Sequence, residues 1–110
     1  MKKFKDAFNG LLLGFKHKGI IIQFVLMVLA IIGGSIIKLD YYEWLAFVIC
    51  IFMVLSSEFL NTSIEKIGDY LNNEYDDKIK VIKDLAAAGV LLACFGALVV
   101  CLFVLCRRLL

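Results

Sequence analysis

Glu58, Asn61, Glu65 and Asp69 follow one another at helical spacing in the stretch EFLNTSIEKIGD. At about 100° per residue all four fall within an arc of roughly 80°. One helix face would therefore carry three carboxylates and an amide over about three turns. These are hard oxygen ligands, the kind Mg²⁺ takes up while keeping waters and substrate phosphates. Across a short loop comes KDLAAAGV, which adds Lys83 and Asp84 at the same level. Carboxylate, amide, lysine and a divalent cation together suit phosphoryl transfer, whose catalysis is mainly positioning and charge neutralisation. A solvated helix end would account for Asp69 and for Glu65. It accounts poorly for Glu58, because uncharged residues run unbroken from Trp44 to Ser57 before it. Ionisable groups at membrane depth are costly and point to function.

The elements that must position these residues follow from composition. The chain has 110 residues, 63% of them hydrophobic, and no proline; its mean hydropathy is +0.94. A soluble domain of this length keeps too much surface in water to bury so much apolar area. A bilayer is the better solvent, and the length allows one domain. The net charge of +2 is too small to suggest nucleic acid, and the basic residues are not interleaved with a stacking surface. Gly19–Ile37 and Leu85–Cys106 are long enough to cross the hydrocarbon unaided, which takes about 20 helical residues. The run from Trp44 crosses only if Glu58 and Asn61 lie at or inside the boundary.

Before the first run, Phe4, Phe8, Leu11, Leu12 and Phe15 recur at helical spacing, flanked by Lys2, Lys3, Lys5 and Lys16. The pattern predicts an amphipathic helix on the membrane surface. It lacks the continuous apolar core and small-residue cleavage pattern of a signal peptide. Gly10–Lys16 lacks the spacing and the Ser/Thr of a phosphate-binding loop. The expected layout is all-α: a surface helix over about residues 2–17 and spans over about 19–38, 42–71 and 80–106, in one domain, 1–110.

Lysines cluster before the first span and again at Lys78, Lys80 and Lys83. The positive-inside rule then puts both regions, and the carboxylate face, in the cytoplasm. Arg107 and Arg108 fall on the outer side against that rule; the agreement of the two lysine clusters outweighs them. Tyr41, Tyr42 and Trp44 suit an outer aromatic belt. Cys50, Cys94, Cys101 and Cys106 form no CxxC pair and read as small hydrophobes. His17, the sole histidine, reads as an interfacial polar residue. Gly33–Gly34 and the Gly89–Gly96 stretch suit close helix contacts.

The residues also carry a resemblance. EFLNTSIEKIGDYLNNEYDDKIKVIKDLAAAGV resembles the hallmark region of the small prokaryotic diacylglycerol kinase family, which includes the undecaprenol kinases of Gram-positive bacteria. The pattern is E-x-x-N-[ST]-x-I-E-x-x-x-D, then an acidic-aromatic loop, then K-D. The similarity covers nearly the whole chain. It implies a homotrimeric bacterial plasma-membrane protein with active sites between subunits facing the cytoplasm. It further implies MgATP as co-substrate and a membrane lipid alcohol as acceptor.

Residue by residue, the resemblance makes Glu58 the catalytic base, with Asn61 beside it, and Glu65 a metal ligand. Asp69 lines the site. Glu74, Tyr75 and Asp76 form the nucleotide loop, Lys83 and Asp84 contact the nucleotide, and Gln23 lies on the substrate side. Two positions depart from the family pattern. His17–Lys18 stands where the family usually has Asn-Glu, whose glutamate is the second metal-binding carboxylate. Ile22 stands where an arginine is common. Three roles fit Lys18: a direct phosphate contact, a site that holds metal with fewer protein ligands, or an impaired enzyme that keeps the fold as a membrane interaction protein. The KDLAAAGV stretch looks more like the Gram-positive members, which favours undecaprenol, with diacylglycerol as the alternative.

Overall fold

The computed structural model describes residues 2–71 and 77–110, all of them in helices or the turns and ends that flank them. In chain order the helices are α1 (Lys2–Gly14), α2 (Lys18–Ile36), α3 (Tyr41–Leu71) and α4 (Asp77–Leu109). α2, α3 and α4 are each long and apolar enough to cross a membrane. α3, at 31 residues, measures about 46 Å at 1.5 Å per residue, well beyond a hydrocarbon core of about 30 Å.

The helices make almost no core of their own. Among the described residues the buried hydrophobic side chains are Ile20, Leu39, Leu55 and Val104. The accessible surface is 8592 Å², whereas a water-soluble monomer of this mass exposes about 6,100 Å². In the most apolar windows of α2, α3 and α4, only 11%, 11% and 6% of residues are buried. The apolar surface therefore faces a surrounding apolar medium. α3 is central, packing along α4 on one side and against α2 on the other.

α1 ends at Gly14, and a tight turn follows. Phe15, Lys16 and His17 donate their N–H groups to Leu12, Leu13 and Gly14. His17 is extended and caps α2 through its backbone alone, its carbonyl accepting from Ile21 N–H. A short aromatic series ties this turn to α3. Phe15 stacks on Phe24 at 4.9 Å, and Phe24 meets Phe59 edge-on at 6.4 Å.

The α2–α3 turn is built from three devices. Lys38, at φ 57°, is in the left-handed region. It closes a Schellman motif in which Leu39 N–H donates to Gly34 O and Lys38 N–H to Ser35 O. Asp40 and Glu43 then form a reciprocal capping box. Glu43 N–H donates to Asp40 Oδ1 at 2.9 Å and Asp40 N–H to Glu43 Oε1 at 3.0 Å. Leu39 and Trp44, flanking that box, converge on Gly34, where a Cβ would lie 2.8 Å from Leu39 Cδ1 and 2.9 Å from the Trp44 ring.

Two sequence expectations shift here. Trp44 is half-buried against Gly34, while Tyr41 and Tyr42 stay 72% and 74% exposed; the staple on the capping box draws the tryptophan inward. Gly34 makes a close contact, but a Cβ on Gly33, Gly89 or Gly96 would meet nothing within 4 Å. The small residues of α4 therefore do not seat a helix within this chain.

Arg107 and Arg108, at the end of α4, reach this same turn. Arg108 Nη2 donates to Glu43 Oε1 at 2.6 Å and to Lys38 O at 2.8 Å, and Nη1 donates to Ile37 O at 2.9 Å. Arg107 Nη1 lies 3.0 Å from Asp40 Oδ2. Glu43 is 4% exposed, and its pairing with Arg108 is what makes a buried carboxylate tolerable. The four cysteines are all free thiols, three of them half-buried and Cys106 exposed.

Candidate active site

α3 carries the four polar residues on one face because nothing in Tyr41–Leu71 breaks the helix. The serines along it are absorbed locally. Ser56, Ser57 and Ser63 donate their hydroxyls to carbonyls three or four residues earlier, leaving the Glu58 face undisturbed.

Glu58 is half-buried and lies against the start of α2. A Cβ built on Gly19 would stand 2.6 Å from Glu58 Oε1, so the carboxylate occupies space that only glycine leaves free. Asn61, one turn on, is buried at 8% exposure. Its Nδ2 donates to Glu65 Oε1 at 3.0 Å. Its Oδ1 is buried without a hydrogen-bond partner among the described residues. Buried acceptors are rarely left open, so this oxygen is available to a donor or cation that enters the site.

Two turns beyond Asn61, Asp69 pairs with Lys83 of α4. Gly68 permits the approach: a Cβ there would lie 2.9 Å from Lys83 Cε and 3.1 Å from Ile79 Cγ2. Lys83 and Asp69 are thus brought together, both part-exposed to water. Asp84 is directed elsewhere, to Lys80 on its own helix at 2.6 Å. Gln23 sits one turn along α2 from Gly19. It lines a mostly apolar cavity of about 200 Å³ between α2, α3 and α4, together with Val54, Leu55 and Cys94. Glu74, Tyr75 and Asp76 lie outside the described residues. Lys18 is exposed and opens α2 beside Gly19, and no ion pair engages it among the described residues.

The glycines opposite the carboxylates, Gly19 and Gly68, escaped the sequence reading. The available signal was a small residue at the mouth of the first span and another within the acidic face itself.

Among the described residues no group of three His, Cys, Asp or Glu side chains forms a ready-made metal site. A magnesium ion does not require such a cage, since it takes one or two carboxylates and completes its shell with waters and substrate phosphates. Glu65 and the open Asn61 Oδ1 are hard donors suited to such a shell.

An all-helical chain with three membrane-length helices and a row of carboxylates along the central one defines a small polytopic membrane protein with a polar site at one end of its bundle. The sequence profile of the family described as prokaryotic diacylglycerol kinase matches residues 5–105, and the chain belongs to that family. A diacylglycerol kinase of Helicobacter pylori (strain ATCC 700392 / 26695) is 31% identical over 68 residues, 62% of this chain and 53% of that protein. The chain thus spans about half the length of the relative it matches.

Proposed function

We propose that this chain is a lipid kinase, transferring the γ-phosphoryl group of MgATP to the hydroxyl of a membrane lipid alcohol. The observation that carries the reading is the seating of Glu58. Its carboxylate is half-buried against Gly19 at the polar end of the bundle, one turn from a buried amide with an open oxygen.

In this reading Glu58 takes the proton of the lipid hydroxyl. The hydroxyl oxygen forms the new P–O bond as the bond between the γ-phosphorus and the bridging oxygen of ADP breaks. Asn61 holds Glu65 in place through its amide N–H. Glu65 and Asn61 Oδ1 would hold Mg²⁺, which when bound neutralises phosphate charge. Lys83, drawn toward the site by Asp69, supplies a cation for the nucleotide phosphates, and Asp84, Glu74, Tyr75 and Asp76 complete the nucleotide side. Gln23, one turn deeper on α2, orients the acceptor. We place this end of the bundle in the cytoplasm of a bacterium, beside the lysine-rich segments. The working unit is a homotrimer, consistent with the large apolar surface that the single chain leaves uncovered.

The preferred acceptor is undecaprenol, on the resemblance of KDLAAAGV to Gram-positive members, with diacylglycerol as the second reading, favoured by the name of the Helicobacter relative. The test is transfer of label from γ-labelled ATP to each lipid alcohol, offered side by side to the purified protein. Label on undecaprenol in large excess supports the first reading, and the reverse supports the second. Glu58→Gln keeps the size of the side chain and removes its basicity, and should lower the rate by about 10²–10⁴-fold. Wild-type turnover in that variant would make Glu58 structural. If neither alcohol is labelled by the native protein, the kinase reading fails and a non-catalytic membrane role takes its place.

A further inference from the structure

A second polar site lies a quarter turn round α3 from the carboxylate face. Taking Glu58 as zero, Asn61, Glu65 and Asp69 lie between about −60° and +20° round the helix, while Thr62, Lys66 and Ser63 lie at about 40°, 80° and 140°. These three face α1 rather than the α2–α4 side. Together with Lys16 and His17 they line an open cavity of about 550 Å³ between α1 and α3. Its remaining wall is apolar, with Leu11, Leu13, Phe59 and Ile20 of α2 the larger side chains.

Like Lys18, the two lysines here differ from four cations of α4 in lacking a carboxylate partner among the described residues. Lys80, Lys83, Arg107 and Arg108 all have carboxylate partners. Lys16 and Lys66 have none among the described residues, yet they come from two different elements and border one cavity. α1 itself is thinly held. Phe4, Phe8 and Leu12 are 72%, 61% and 54% exposed, and the buried point of α1 is Gly14, beneath the ring of Phe59. Two ammonium groups without carboxylate partners, the Thr62 hydroxyl and an imidazole beside an apolar wall match a phosphate diester with acyl chains attached; the Ser63 hydroxyl is already donated to Phe59 O. Lysines act on phosphate as point charges, and hydroxyls donate to its oxygens.

We propose that the α1–α3 cavity binds the phosphate headgroup of an anionic membrane phospholipid, which bridges Lys16 and Lys66 and fastens α1 to α3. The site is separate from the carboxylate face, and its lipid is not the acceptor of phosphoryl transfer. The apolar wall and the three membrane-length helices beside it favour a lipid over a soluble anion.

The test is amide hydrogen exchange of residues 2–14 in the full-length protein, reconstituted in nanodiscs. Discs of phosphatidylcholine alone are compared with discs containing phosphatidylglycerol, and with phosphatidylcholine discs bathed in inorganic phosphate. Phosphatidylglycerol should slow exchange in α1 by about tenfold. The doubly neutralised variant, Lys16→Gln with Lys66→Gln, should lose that protection, and Lys16→Arg with Lys66→Arg should keep it. Lys2→Gln with Lys3→Gln removes equal charge outside the cavity and should leave the effect intact. Equal loss in that control would reduce the effect to general surface attraction and overturn the site. Protection by inorganic phosphate alone would overturn the lipid assignment. Absence of any phosphatidylglycerol effect on the native protein would sink the proposal outright.

Discussion

At the scale of single residues, the seat of Glu58 decides what the site can do. The carboxylate rests where a Cβ on Gly19 would collide with it, 2.6 Å away. Gly19→Ala should leave the fold intact, because the atom that must yield is the free end of a flexible side chain. It should still move the carboxylate, and a displacement near 1 Å of a catalytic group can lower turnover by about 10²-fold. Transfer rates and melting temperature measured on the same sample separate the two effects: kcat falls while Tm holds. Lys18, next along the chain, can be tested by reversing its sign. If the position suits a second metal carboxylate, Lys18→Glu lowers the Mg²⁺ concentration for half-maximal rate, because each added carboxylate brings charge and oxygen ligands. If Lys18 instead holds phosphate, the same change raises KM for ATP and depresses kcat. Separate titrations of Mg²⁺ and ATP read out which role it fills. If neither titration shifts, Lys18 only anchors the turn to anionic lipid.

At the scale of elements, the distance between α3 and α4 at the polar end is set by Gly68. Gly68→Leu would press a branched side chain on Lys83 Cε and Ile79 Cγ2, which a bare Cβ already meets at 2.9 and 3.1 Å. The Asp69–Lys83 pair should part. Affinity for ATP should fall several-fold with little change in helix content, checked by nucleotide titration beside far-UV circular dichroism. This is also the scale at which sequence was most informative. The long uncharged runs announced α2, α3 and α4, because apolar length is a property of one segment read alone. The carboxylate face of α3 was legible for the same reason, since it needs only the helical period. The junctions were not. The capping box at Asp40 and Glu43 was present as D-x-x-E but lay unread inside a short polar loop. The glycines that matter, Gly19, Gly34 and Gly68, looked no different from Gly33, Gly89 and Gly96. What separates them is the side chain across the gap, Glu58, Trp44 or Lys83, and that is set by how helices meet. Asp84 shows the same limit: its neighbour in sequence, Lys83, turns to α3, while Asp84 turns to Lys80.

At the scale of the whole molecule, the end opposite the carboxylates is closed by charge. Arg108 binds Glu43 and two carbonyls of the α2–α3 turn, and Arg107 reaches Asp40. These pairs join the last helix to the junction of the first two long ones. Arg108→Ala should lower Tm in detergent, because it removes the closer cation of a 4% exposed carboxylate and leaves only Arg107, 3.7 Å away. Adding Glu43→Gln to that variant should restore part of the loss, since the poorly compensated charge is then gone. A double variant no more stable than Arg108→Ala would show that the arginine matters for its carbonyl bonds alone. The pairs also bear on how the chain is made. Arg107 and Arg108 stand in the last turn of α4, so they are synthesised after the rest of that helix and can meet Asp40 and Glu43 only once it has threaded the bilayer. Until then Glu43 lacks the cation that makes its burial tolerable, so the α2–α3 turn is completed only when insertion is.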